Sequence, residues 1–169
     1  SGLSSTGLKT SFLGGAVYCG GLRMSDTARL NISHIHVGSS FSSGGGAIKC
    51  VHIELRDDAV VNIQDIRLDS TGGSGVAISA AWLTLNDRSS LMISDCVGLQ
   101  NTVHGGGLFV LHVNVSGEAL ISMRHVSLEG GSAYGGGLVG QTLEIEEHAR
   151  MVVEDVSVTG PLSYGAGVS

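Results

Sequence analysis

The sequence predicts an all-β chain coiled as a right-handed parallel β-helix. Three observations carry that expectation: a repeat of 30–31 residues, apolar residues alternating with period two inside each repeat, and a composition rich in glycine and aliphatics but poor in aromatics. The chain has 169 residues, 27 of them glycine and one proline, with 42% hydrophobic and only 4% aromatic residues. Disordered glycine-rich chains are poor in Val, Leu and Ile, whereas this one is rich in them, so a buried core is affordable. Collagen is excluded, because glycine does not recur at every third position. Few large rings and many aliphatics describe a thin-walled structure whose core is a set of ladders.

The repeat is explicit. Gly14, Gly45, Gly75, Gly105, Gly135 and Gly165 align at intervals of 31, 30, 30, 30 and 30 residues, and the other columns then fall into register. Leu22, Ile53, Leu83, Val113 and Leu143 share one column, and Met24, Leu55, Leu85, Val115 and Ile145 the next. Ile32, Ile63, Ile93, Met123 and Val153 share another, as do Ala28, Ala59, Ser89, Ala119 and Ala149. Self-similarity at a fixed period marks a repeat architecture. Within a repeat, Ile53-Glu54-Leu55 or Leu83-Thr84-Leu85 alternates as a half-buried strand does, and helical spacing is nowhere sustained. Three such segments are expected per rung, exemplified by Gly45 to Cys50, Ile53 to Leu55, and Ala59 to Leu68 with a kink near Gln64-Asp65. About five rungs follow, right-handed because parallel crossovers almost always take that hand. Residues 1–169 read as one β-helix segment, uncapped at both ends and expected to be an excerpt of a longer repeat protein.

The junctions between repeats vary most: Gly38 to Gly44, Asp69 to Ser74, Leu99 to His104, Glu129 to Tyr134 and Thr159 to Tyr164. In a solenoid, variation collects on the loop face, where partners dock. Phe41, Tyr134 and Tyr164 are therefore the binding-loop candidates, since exposed aromatics anchor protein or sugar partners. Each junction leads into a glycine tetrad: GGAV at Gly14, GGAI at Gly45, GVAI at Gly75, and GGGL at Gly105 and Gly135. These tetrads resemble those of the chlamydial polymorphic outer-membrane proteins, β-helical autotransporter adhesins. Stretches such as Leu55 to Ser79 resemble the long surface proteins of the trypanosomatid dispersed gene family. The resemblance implies a β-helical, adhesin-like surface protein whose membrane anchor lies outside these repeats.

Charge narrows the partners. Nine basic against 15 acidic residues give a formal net charge of −6, which disfavours nucleic acid and anionic membrane surfaces. Three cysteines without a C-x-x-C form neither a disulfide framework nor a zinc site. Cys19 and Cys50 share an inward column, and Cys96 sits in the Ile35/Ile66 column; free buried thiols are the expectation for all three. The column His34, Asp65, Asp95, His125 and Asp155 has some metal-site chemistry, with Asp65 and Asp95 as weak cation candidates. It lies at the strand kink, where such residues cap turns, and that role is the stronger expectation. Asp26, Asp57, Asp87 and Glu147 form an acidic stripe at a second corner, read as a solvated turn. Trp82 falls in a column with Gly21, His52, His112 and Thr142, and a half-buried corner position is expected for it. Asn31 and Asn114 head N-x-S sequons on outward strand positions and are glycosylation candidates.

The function these features point to is a non-enzymatic extracellular surface or structural module. It would be an adhesin-like rod that presents variable loops to a host or cell-surface protein or glycan, with no cofactor. Two alternatives remain. A carbohydrate-active β-helix, lyase- or glycosidase-like or simply a glycan binder, would rest on Asp65, Asp95 and Arg67. A filament subunit would associate end to end with its own copies.

Overall fold

Two long strands per repeat, separated by a turn of four residues, account for most of the chain. The computed structural model describes residues 16–38, 46–69, 74–99, 103–104, 106–129, 132–159 and 162–164. In chain order the strands are β1 (Val17–Met24), β2 (Arg29–Gly38), β3 (Ile48–Leu55), β4 (Val60–Asp69), β5 (Ile78–Leu85), β6 (Ser90–Leu99) and β7 (Val103–His104). They continue with β8 (Leu108–Val115), β9 (Leu120–Glu129), β10 (Ser132–Tyr134), β11 (Leu138–Val139), β12 (Thr142–Ile145), β13 (Arg150–Thr159) and β14 (Leu162–Tyr164). Among the described residues there is no helix, and so none long and apolar enough to cross a membrane.

Every strand pairs in parallel with its counterpart one repeat away, which makes the chain a parallel β-solenoid. The first sheet runs β1-β3-β5-β8-β11, with β12 also on β8; the second runs β13-β9-β6-β4-β2; the third is β14-β10-β7. The five long strands of the second sheet are separated by four successive turns of the coil. Register follows the sequence columns: Ile32 pairs Ile63, Ile63 pairs Ile93, and Leu55 pairs Leu85. Ile63, Leu55, Leu85 and Met123 are wholly buried. A fully buried aliphatic side chain contributes about 1.5–3 kcal/mol, so the stack of identical columns is the main stabilising force. Ser89 is the polar member of the Ala column, and its hydroxyl donates to the Leu55 carbonyl at 3.3 Å.

The glycine tetrads turn the chain where adjacent rungs nearly touch. A Cβ on Gly46 would lie 2.2 Å from the Val76 carbonyl oxygen, and one on Gly106 would lie 2.0 Å from that of Gly136. No side chain fits such a gap, which explains glycine at these two positions, although the rung between them holds Val76 in the same column.

Three expectations need correction. The two segments read as separate strands, Gly45 to Cys50 and Ile53 to Leu55, are one eight-residue strand, β3, and the same holds for β1, β5 and β8. Val51 and His52 both face outward, which breaks the period of two without breaking the strand. Only the last rung splits, into β11 and β12, around Gly140 and Gln141. Second, the third side of the coil comes from the variable junctions themselves: Val103 and His104 pair with Ala133 and Tyr134, and these with Ser163 and Tyr164. Third, Cys19 and Cys50 are bonded to each other rather than free. Their Cα atoms are 4.8 Å apart, the distance between paired strands and within the range a disulfide spans. Cys96 is a buried free thiol, as expected, and burial pushes its pKa up to about 12, which leaves it unreactive.

Candidate functional site

Three outward ladders carry the chemistry of the coil, two of them at left-handed backbone positions and the third at a bend without one. The first is the kink column of the second sheet. His34, Asp65, Asp95, His125 and Asp155 all have positive φ, between 49° and 57°. Left-handed backbone favours Gly, Asn, Asp and His, so this column is selected for conformation. The side chains point to solvent and pair along the axis: His34 with Asp65 at 3.6 Å, and His125 with Asp95 at 3.2 Å and Asp155 at 3.4 Å. Asp65 and Asp95 are thus each beside an imidazole. Among the described residues, no group of three or more His, Cys, Asp or Glu stands close enough to hold a metal ion.

The second ladder is the acidic turn. Asp26, Asp57, Asp87 and Glu147 also have positive φ, and Gly117 takes the fourth position at φ 74°. Here the carboxylates do backbone work: the Asp26 N–H donates to Asp57 Oδ2 at 2.9 Å, and the Asp57 N–H to Asp87 Oδ2 at 3.2 Å. Beside them Arg88 forks onto Asp58, with both nitrogen–oxygen distances 2.8 Å. That hydrogen bond holds the Asp58 carboxyl below its usual range. Arg67 is similarly occupied. It donates to Asp69 at 3.1 Å, while His36 Nε2 lies 2.7 Å from the same carboxylate. Burial alone would raise the pKa of Asp69, but the bonds from His36 and Arg67 outweigh it and hold the carboxyl low. Arg67 therefore faces a neighbouring carboxylate rather than Asp65 or Asp95, and the three do not converge.

The third ladder lies on the outer face of the first sheet, at the two-residue outward bend. Gly21, His52, Trp82, His112 and Thr142 occupy successive register positions. Trp82 keeps 46% of its surface exposed and is stacked between two imidazoles. The ring centroid of His112 is 4.0 Å away and that of His52 6.2 Å, with interplanar angles of 25° and 7°. His112 Nδ1 is held 2.9 Å from Thr142 Oγ1. Tyr18 and Val51, 63% and 50% exposed, lie on the same face. Two residues further along the strand runs the polar column Arg23, Glu54, Thr84, Asn114 and Glu144. Arg23 pairs with Glu54 at 3.1 Å, and Asn114 donates to Glu144 at 3.2 Å. An open groove of about 500 Å³ runs between the two columns from Trp82 to Glu146.

The remaining candidates are placed as follows. Asn31 is exposed on the second sheet, whereas Asn114 is half-buried and its amide is engaged by Glu144. Tyr134 and Tyr164 are backbone partners in adjacent rungs of the third sheet, and Phe41 lies outside the described residues. The rung-to-rung pairs Asn114–Glu144, Arg23–Glu54 and Arg124–Glu154 (2.9 Å) were not anticipated. The signal for them exists in the repeat itself, since each pair occupies one column in neighbouring repeats. Comparison with family models, with curated proteins and with solved structures finds no match to this chain.

Proposed function

We propose that the chain is a non-enzymatic extracellular surface module, an adhesin-like rod that offers its outer faces to a cell-surface protein or glycan. The observation that carries this reading is the contrast between columns. Inner columns hold apolar residues in every rung, while the junctions and the outward columns of the first sheet change from rung to rung on one repeating frame. A scaffold that holds its interior constant and varies its exterior is suited to display. The Cys19–Cys50 bond supports an oxidising compartment, where such bonds persist. The junction strands β7, β10 and β14 put His104, Tyr134 and Tyr164 at successive register positions, which supports reading the variable junctions as one continuous face of the coil. The resemblance of the glycine tetrads to those of β-helical chlamydial adhesins, and of stretches such as Leu55 to Ser79 to trypanosomatid surface proteins, favours the same role.

Labelled chain applied to panels of cells and immobilised glycans should bind saturably, and the Tyr134→Ser/Tyr164→Ser variant should bind more weakly without loss of β structure. Turnover of any polysaccharide or glycoside in a substrate panel would contradict the reading.

A further inference from the structure

We propose that the groove beside Trp82 binds a neutral oligosaccharide; the proposal rests on the reading of the chain as a partner-binding surface rod and names the ligand class for one of its faces. Four features of the groove lead there. With its two faces against His52 and His112, Trp82 still keeps 46% of its surface exposed, so the outer edge of this ring stack offers apolar surface to the groove. Its neighbours across the groove are hydroxyl, amide and carboxylate groups: Thr84, Asn114, Thr142, Glu144 and Glu146. Apolar ring surface beside such groups matches a pyranose, which presents C–H patches and hydroxyls side by side.

The groups are also held in place before any ligand arrives. Ser116 donates to Asn86 at 2.9 Å, Asn114 to Glu144 at 3.2 Å, and His112 is fixed against both Thr142 and the indole. Side chains already ordered lose little entropy on binding, which is how a shallow site acquires useful affinity. The Trp82 indole, the Thr84 hydroxyl and the Glu146 carboxylate also line the groove and can hydrogen-bond a ligand there. Finally, the charge selects the class. Glu144 and Glu146 line the groove and no Lys or Arg does, so sulfated glycans, uronates and phosphates are repelled while uncharged sugars are not. The groove runs along three rungs, so a linear chain lying parallel to the axis gains contacts with each added residue.

Trp82 is the chain's single tryptophan, so its fluorescence reports on this site alone. The full chain is titrated with cello-, xylo-, manno- and chito-oligosaccharides of increasing length, and with heparin fragments and oligogalacturonates. The expected result is a saturable change with at least one neutral series, stronger for longer members, and none with the anionic ones. By calorimetry, Trp82→Ala should weaken that binding at least tenfold and Glu146→Ala severalfold, with circular dichroism unchanged. If Trp82→Ala fails to fold, Thr84→Val with Glu146→Ala takes its place and should weaken binding at least tenfold. No saturation by any neutral series, equal binding of anionic sugars, or undiminished binding by these variants overturns the proposal. The same preparations are applied to the cell panel. Cell binding without sugar binding sinks this inference and leaves the surface-rod reading standing; loss of both sinks both.

Discussion

The two long sheets share one core but solve the same outward break differently. In the second sheet, consecutive residues such as Gln64-Asp65 and Arg124-His125 both face solvent, and the second of each pair takes a left-handed backbone. In the first sheet Val51-His52 both face solvent as well, yet neither they nor their equivalents Ala81-Trp82 and Leu111-His112 have positive φ. A left-handed residue restricts the choice to Gly, Asn, Asp, His and few others, and a β-branched or bulky one there is a genuine outlier. Accordingly the kink column reads His, Asp, Asp, His, Asp, while the bend of the first sheet accommodates Val, Ala and Leu in one column and His, Trp, His and Thr in the next. Backbone conformation thus dictates one outward column of the second sheet and leaves the matching bend of the first sheet free. The first sheet's exterior is the one that carries the exposed Tyr18 and Trp82.

That comparison can be broken most severely through what the sheets share. Ile63 sits mid-column between Ile32 and Ile93 with no exposed surface, so Ile63→Asp buries a charge without a partner. A loss of roughly 4 kcal/mol is expected, enough to unfold the coil. A melting temperature near that of the wild type would mean that the column does not face inward. Next in size is the bond between the first two rungs. Replacing both Cys19 and Cys50 by Ala opens a link across 31 residues and should cost about 3 kcal/mol in chemical denaturation.

The contrast itself is tested by matched substitutions. Asp65→Val places a β-branched residue at φ 53° and should cost about 1–3 kcal/mol, whereas Asp65→Gly should be near neutral. His52→Val, at the corresponding bend of the first sheet, should change stability by less than about 0.5 kcal/mol. Equal losses for the two Val variants would erase the distinction. The smallest effect is pH-dependent. Because the folded state holds the Asp69 carboxyl below its usual range, its contribution is present above the unfolded value of about 4 and fades as pH falls through the folded one. Asp69→Asn should therefore be less stable than the wild type by under about 1 kcal/mol at pH 6, with the gap closing below about pH 4.

Much of this was legible because the repeat sets register directly. Once the glycines align, Ile63 must stack on Ile32 and Trp82 on His52, and the buried faces follow from period two. The merged strands were not legible, since two adjacent outward residues at Val51-His52 look like a turn when period alone is the guide. Nor was the third sheet, because junctions such as Glu129 to Tyr134 share no pattern with their neighbours, and backbone pairing needs none. The disulfide was half visible: the column placed Cys19 over Cys50, while the side-chain geometry that lets them bond is not written in spacing. For Trp82 the register was clear, but exposure depends on which way the bend points.

On the reading proposed above, the first sheet's exterior binds a partner beside the junction ridge of the third sheet, while the second sheet's exterior is structural. The most direct test of this reading compares two surface variants of the full chain, Tyr18→Ser/Trp82→Ser and Arg67→Ser/Arg124→Ser, for binding to the same cells or glycan. The account predicts at least a tenfold loss for the first, about 1.4 kcal/mol, and less than a twofold change for the second, with both still folded. Equal binding by the two variants, or a larger loss for the arginine pair, would contradict it.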